Sequence, residues 1–294
     1  MKRLKLKKIP KRIKPETTLL VDLKYLAYRS RYTQGAQLTY EDVKTTVPYY
    51  VLNTIFSVAK KFEITKCVIC ADVGKDSLRK KEYDGYKEKK NKITSEYDLK
   101  LNTVFHDEYE ALIENLNKIN MPVNHLSNYE ADDLIAMYCK QYKNENIFII
   151  TRDEDMYQCL TDNITIYSPD DKVKKTYNWF KKEYGIDPSD WKMVKAIGGC
   201  NSDCVKGIKG VGEETALKFV RGDANPNQIK RIEENWHDVE ECLQVVALPH
   251  PSLNECIYHF EKTNLETEGF IKFCQRLGFR QFLDNLHDFE RYFQ

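Results

Sequence analysis

Long apolar runs are what this chain most lacks. None of the 294 residues belongs to a hydrophobic stretch near the roughly 20 residues needed to cross a bilayer. The start, MKRLKLKKIPKRIKP, is basic without the apolar middle of a secretory signal. No membrane partner is expected, and the chain reads as soluble and cytoplasmic. Regular cysteine spacing is also missing, so the nine cysteines fit reduced thiols better than a disulfide framework. Cys67 and Cys70 form a C-x-x-C, but in a strand-like run, where positions three apart face opposite sides of a sheet; zinc is not expected there. Internal repeats are absent, as are low-complexity segments beyond the basic start. What the chain does have is enough apolar material, 41% of its residues, to supply a sizeable core.

Neither sign of charge dominates, at +1 net, yet the distribution is uneven. Residues 1–15 carry eight lysines and arginines and no acid before Glu16, and Lys75 to Lys92 is a second lysine-rich stretch. A nearly neutral chain with such zones can hold an acidic site and still attract a polyanion. The first fifteen residues read as a flexible tail, either a solubilising arm or a nucleic-acid contact.

Apolar strand-like runs alternate with segments of helical spacing. TLLVD (Thr18 to Asp22), KCVICAD (Lys66 to Asp72), MPVNHL (Met121 to Leu126) and NIFIITRD (Asn146 to Asp153) predict strands, and Val47 to Phe62 and Leu99 to Ile119 predict helices. The alternation predicts an α/β fold, a mostly parallel sheet flanked by helices, whose ligands gather beyond the carboxyl ends of the strands. After Thr176 the strand signal fades into helices, which places a boundary there: a unit over 16–176 and a helical region over 177–294.

Carboxylates recur where those strands end: Asp22, Asp72, Glu130 with Asp132 and Asp133, Asp153 with Asp155, and later Asp203. Acids at helix starts are also ordinary caps, which is the plainer account of YEADDLIA and of TRDEDMYQCL taken singly. An acid after each of several apolar runs is hard to explain as independent capping. Carboxylates gathered from distant points need a compensating cation, and oxygen donors with no matching His or Cys cluster favour Mg2+ or Mn2+. In Gly198 to Val220, the glycines Gly207, Gly210 and Gly212 permit a tight hairpin before a helix starting at Glu213, suited to a phosphate backbone; by glycine spacing alone, a plain turn between packed helices is the better account.

Together, VDLKYLAYR, ADVGKDSLRKKEYDGYK, YEADDLIA, TRDEDMYQCL and SDCVKGIKGVGEETA, in that order, resemble the signatures of the structure-specific 5′ nucleases: flap endonucleases, bacteriophage 5′ to 3′ exonucleases and the 5′-nuclease domain of bacterial DNA polymerase I. The resemblance runs from about Thr18 to Val220. It implies a PIN-like catalytic domain over 16–176 with a helical arch at about 75–99, and a helix-hairpin-helix-type element at about 189–220. It implies two Mg2+ ions, replaceable by Mn2+: Asp22, Asp72, Glu130 and Asp132 serve the first with Asp133 nearby, and Asp153, Asp155 and Asp203 serve the second. Arg79, Tyr86, Lys87 and Lys90 match positions near the scissile phosphate, Lys87 as a charge and Tyr86 as a face for base stacking. Arg29, Lys206, Gly207, Lys209, Gly210, Gly212 and Thr215 fall at DNA-binding positions, with K+ implied at the hairpin. The implied protein is a monomer acting on 5′ ends, nicks and flaps of DNA, or on RNA-primed DNA, beside replication proteins.

One departure stands out. Cys200 occupies a position where many phage and bacterial relatives carry Asp, and losing that hard carboxylate is expected to weaken Mg2+ at the second site. It motivates an alternative, a weakly catalytic or non-catalytic DNA-junction binder; a PIN-like endoribonuclease is another, which the hairpin argues against.

Overall fold

The computed structural model describes residues 16–31, 38–72, 77–88 and 96–294. The basic tail over 1–15, Lys90 and much of the arch lie outside the described residues.

The strands described are β1 Thr17–Asp22, β2 Thr39–Tyr40, β3 Val43–Lys44, β4 Lys66–Cys70, β5 Val123–Asn124, β6 Asn146–Ile150, β7 Ile164–Ser168 and β8 Val173–Lys175. Apart from the β2–β3 hairpin they form one sheet in the order β5-β4-β1-β6-β7-β8. Every pair is parallel except β7 with β8. The four expected strands are present, β1 longer by one residue and the other three shortened; β7 and β8 extend the far edge and went unanticipated. The chain lays β4 and β5 on one side of β1 and then crosses to β6 and β7 on the other. This reversal opens a crevice at the carboxyl ends of β1, β4 and β6.

The central strands β1, β4 and β6 bury apolar side chains on both faces because both sheet faces are covered there. Leu19, Val21, Cys67 and Ile69 enter one core, and Leu20, Val68, Cys70 and Ile149 the other. Cys67 and Cys70 thus lie on opposite faces.

The helices are α1 Leu23–Arg31, α2 Thr46–Phe62, α3 Leu78–Glu82, α4 Glu96–Lys118, α5 Ala131–Gln141, α6 Tyr177–Tyr184, α7 Trp191–Gly198, α8 Glu213–Arg221, α9 Pro226–Glu234, α10 Trp236–Val246, α11 Thr267–Arg276, α12 Arg280–Asp284 and α13 Leu286–Phe293. Helix α2 buries Val47, Val51, Leu52, Ile55, Val58 and Ala59 along one stripe and stops where Glu63 turns left-handed at φ 52°. Helix α4 does the same with Phe105, Tyr109, Leu112 and Leu116. No helix among the described residues is long and apolar enough to cross a membrane.

Thr176 marks the end of the strands and caps α6, its side chain accepting the Trp179 N–H. Beyond it the chain builds no core of its own. Phe180 and Trp191 join Val68 and Ile149 in one core, while Phe270, Phe282, Phe289 and Phe293 join Leu19 and Ile69 in the other. The terminal FLDNLHDFERYF therefore packs on its own chain, with the Phe289 ring stacked on Phe56 at 3.9 Å.

Candidate active site

The carboxylates converge on the crevice, each held by the element that delivers it. Asp22 ends β1, and its Oδ1 accepts the Tyr25 N–H at 3.0 Å. Asp72, just past β4, accepts the Ala131 N–H at 2.7 Å through Oδ1 and the Lys24 ammonium at 2.9 Å through Oδ2, so it ties α1 to the start of α5. Asp153, past β6, accepts the Asp155 N–H at 2.8 Å and caps the 3-10 turn Glu154–Cys159. The capping role weighed for it is real, and its charge still reaches its neighbours. Burial, then the charges of Asp72 and Asp153, push Asp22 up to about 7. Asp132 also stands raised, by burial and then by Asp153 and Asp22. Asp72 moves the other way: burial works against its charge, but Lys24 and the Ala131 N–H outweigh it.

A second group lies beside the first. Asp155, 8% exposed, and Asp203 flank Cys200, whose Sγ is 3.7 Å from Asp155 Oδ2 and 3.8 Å from Asp203 Oδ2. Burial, then Asp153 and Asp203, push Asp155 up to about 8. Behind it the largely buried Lys195 points its ammonium between Glu213, at 3.4 Å, and Glu154, at 3.7 Å. Lys87 spans the two groups, with Nζ 2.8 Å from Glu130 Oε2 and 3.7 Å from Asp203 Oδ1. Its backbone is left-handed at φ 51° and its N–H donates to the Asp203 carbonyl at 2.8 Å.

Four expected residues are engaged elsewhere. Asp133 is fully buried and receives both ends of the Arg79 guanidinium, at 2.5 and 2.7 Å, plus the Glu130 and His250 N–H groups. Both of its oxygens are taken up by these donors, so in place of the expected metal ligation it has a structural role here. Arg79 is likewise 2% exposed, donating to the carbonyls of Val245 and Ala247 as well, and cannot meet a phosphate there. Spacing alone could not separate Asp133 from Glu130, because the two share a helix face. Tyr86 is 3% exposed and gives its hydroxyl to Glu130 at 3.1 Å, which removes the open ring face expected for base stacking. Arg29 is engaged by Asp170 and Thr54.

The glycine-rich stretch folds as two packed helices, α7 and α8, joined by a hairpin in which Cys200 and Val205 exchange backbone hydrogen bonds at 2.8 and 3.0 Å. Gly207, at φ 58°, lies so close to Gly199 N and Ile197 O that a side chain would overlap both. Gly212 starts α8, while Lys206, Lys209 and Gly210 stay exposed and Thr215 is half-buried. The hairpin presents cations outward beside the crevice, the Lys206 N–H meeting the Tyr83 hydroxyl at 3.1 Å.

Sequence reasoning passed over Lys24, Lys195 and Tyr109. Lys24 falls inside VDLKYLAYR, where nothing sets it apart from an ordinary helix lysine, and Lys195 occupies a helix position that none of the quoted motifs includes. The Tyr109 hydroxyl is buried with no hydrogen-bond partner among the described residues, and burial, then Asp22 and Asp72, push it upward. Asp132 Oδ1 is orphaned in the same way. Unsatisfied buried oxygens among carboxylates held above their ordinary range are the arrangement a divalent cation relieves, and the donor set fits one.

The family model for the 5′-3′ exonuclease N-terminal resolvase-like domain matches residues 17–185. The chain is 27% identical over 239 residues to the thermostable DNA polymerase I of Thermus thermophilus, covering 81% of this chain but only 26% of that protein. It is 28% identical to a 5′-3′ exonuclease of Mycoplasmopsis pulmonis, over 77% of this chain and 71% of the relative. Among solved structures, zinc-bound bacteriophage T5 5′-exonuclease superposes with a TM-score of 0.68 at 20% identity, covering 80% of this chain and 90% of that one. A T5 flap endonuclease complex with DNA and metal ions gives 0.68 at 17% identity, over 93% and 99%. At such identities the structural likeness speaks for the fold.

Proposed function

The chain belongs to the 5′-3′ exonuclease N-terminal domain family, whose model matches more than half of it, and from that premise we propose that it is a divalent-metal-dependent nuclease hydrolysing phosphodiesters near the 5′ ends of DNA. One observation carries the reading. Carboxylates from β1, the β4 and β6 termini, α5 and the α7–α8 hairpin meet in one crevice, with a buried Asp132 oxygen left unpaired. Residues 16–176 would be the catalytic unit, with the arch at about 75–99, and 177–294 the part that grips duplex.

Asp22, Asp72, Glu130 and Asp132 would hold one cation, and Asp153, Asp155 and Asp203 a second, Mg2+ or Mn2+. When bound, such ions supply an activated water and stabilise charge on the reacting phosphate. Lys87, fixed by Glu130 and by its N–H to Asp203, sets a positive charge beside that phosphate, while Lys24 holds Asp72 in orientation. Lys206 and Lys209 on the hairpin would take duplex phosphates, which carry no base preference. K+ at the hairpin, a monomeric state, RNA-primed substrates and contacts with replication proteins belong to the same reading.

The test is cleavage of a 5′-labelled flap duplex with Mg2+, with Mn2+ and with EDTA. Metal-dependent release of short 5′ products is expected. Tight, salt-sensitive binding without cleavage in either metal would instead mark a junction-binding protein.

A further inference from the structure

Resting on the reading of this crevice as a metal centre, we infer that the Asp155–Cys200–Asp203 corner prefers a softer divalent ion, of the Co2+ or Zn2+ kind, over Mg2+, and binds it directly through the Cys200 sulfur. The three side chains each offer one donor atom, all within 4.8 Å of one another. Metal–sulfur and metal–oxygen bonds of about 2.3 and 2.1 Å meeting at a tetrahedral angle put the two donors about 3.6 Å apart. Cys200 Sγ lies 3.7 Å from Asp155 Oδ2 and 3.8 Å from Asp203 Oδ2.

The sulfur is also preplaced. Two backbone hydrogen bonds to Val205 fix Cys200 in the hairpin, its side chain is 3% exposed, and Ser202 Oγ lies 2.8 Å from Sγ. Mg2+ demands six oxygens at about 2.0–2.1 Å and gains little from a thiolate, whereas soft sulfur favours later first-row ions. On binding, the S–H bond is replaced by a metal–sulfur bond and the proton leaves to solvent, with no change of oxidation state. The corner so becomes selective by donor chemistry, while the all-oxygen group around Asp22 and Asp132 keeps its affinity for harder ions.

The test reads binding, not turnover. Full-length protein is titrated with Co2+ under reducing conditions, following the sulfur-to-cobalt charge-transfer absorption in the near ultraviolet. The native protein should show the band, and so should Cys204→Ser; Cys200→Ser should lose it. Cys200→Asp should lose it too and gain Mg2+ affinity by about tenfold or more, a scale that even indirect metal partners reach. No band in the native protein overturns the inference without needing any variant to fold, as does a band that survives in Cys200→Ser or depends on Cys204. Flap cleavage separates the two readings: a Cys200-dependent band with no cleavage in any metal sinks the nuclease but not the ligand. Mg2+-driven cleavage with no band does the reverse.

Discussion

At the scale of single residues, the proposed function divides the acids into those that would hold a cation and those paired inside the protein. Asp155 belongs to the first kind, and Asp155→Asn should abolish cleavage while leaving binding of the same flap duplex within a few-fold, as a quenched-substrate assay and a binding titration would compare. Asp133 belongs to the second. Removing it strands the Arg79 charge in the interior, so Asp133→Ala should cost about 3–5 kcal/mol, read as a lowered denaturant midpoint with or without metal. A loss of activity at unchanged stability would return Asp133 to the metal site. The raised carboxyls give a pH signature. Their protonated forms are favoured by folding, so this stability is fully present below the ordinary 3.8 and is lost as pH rises toward about 7 for Asp22 and about 8 for Asp155. In EDTA, Tm should fall as pH rises through that window, and a divalent ion should restore it most at the alkaline end.

At the scale of elements, the turn between α7 and α8 is the piece with the least freedom. Gly207→Ala combines a left-handed backbone, costing about 1–2 kcal/mol, with overlap against the Gly199 and Ile197 backbone. It should loosen the hairpin and weaken binding to the duplex arm of a junction. Equal weakening on single strands would count against the hairpin as the duplex grip. Residues in this turn announce themselves in sequence because only glycine tolerates such a path. The neighbouring α5 does not, since acids at its first turn serve capping and site alike, and only packing against α3 and α10 shows which carboxylate turns inward.

For the whole molecule, the two faces of one sheet are closed by chain from both ends of the sequence. Helix α13 lies against α2 and β4, α12 meets α2 where Phe282 stacks on Tyr49, and α11 bonds to α4 through Arg276 and Asn115, so the C-terminal segment is part of the fold that supports the crevice. Phe289→Ala removes a ring that is 2% exposed and stacked on Phe56, and should cost about 3–5 kcal/mol, seen as a shift of the whole unfolding transition. A separate early transition would show instead that these helices form an independent unit.

The sequence by itself determined the alternation of strands and helices, the placing of acids at strand ends and the glycine turn, because periodicity and backbone permission are local properties. Strand β8 escaped it, since VKK at an exposed antiparallel edge has no apolar alternation to mark it. Only the tertiary structure decided which acids share the crevice, that Arg79 and Tyr86 are buried, and that Cys200 stands between Asp155 and Asp203. Those outcomes depend on where side chains from separate elements meet, and on which of them finds a buried partner first, which no spacing along the chain records.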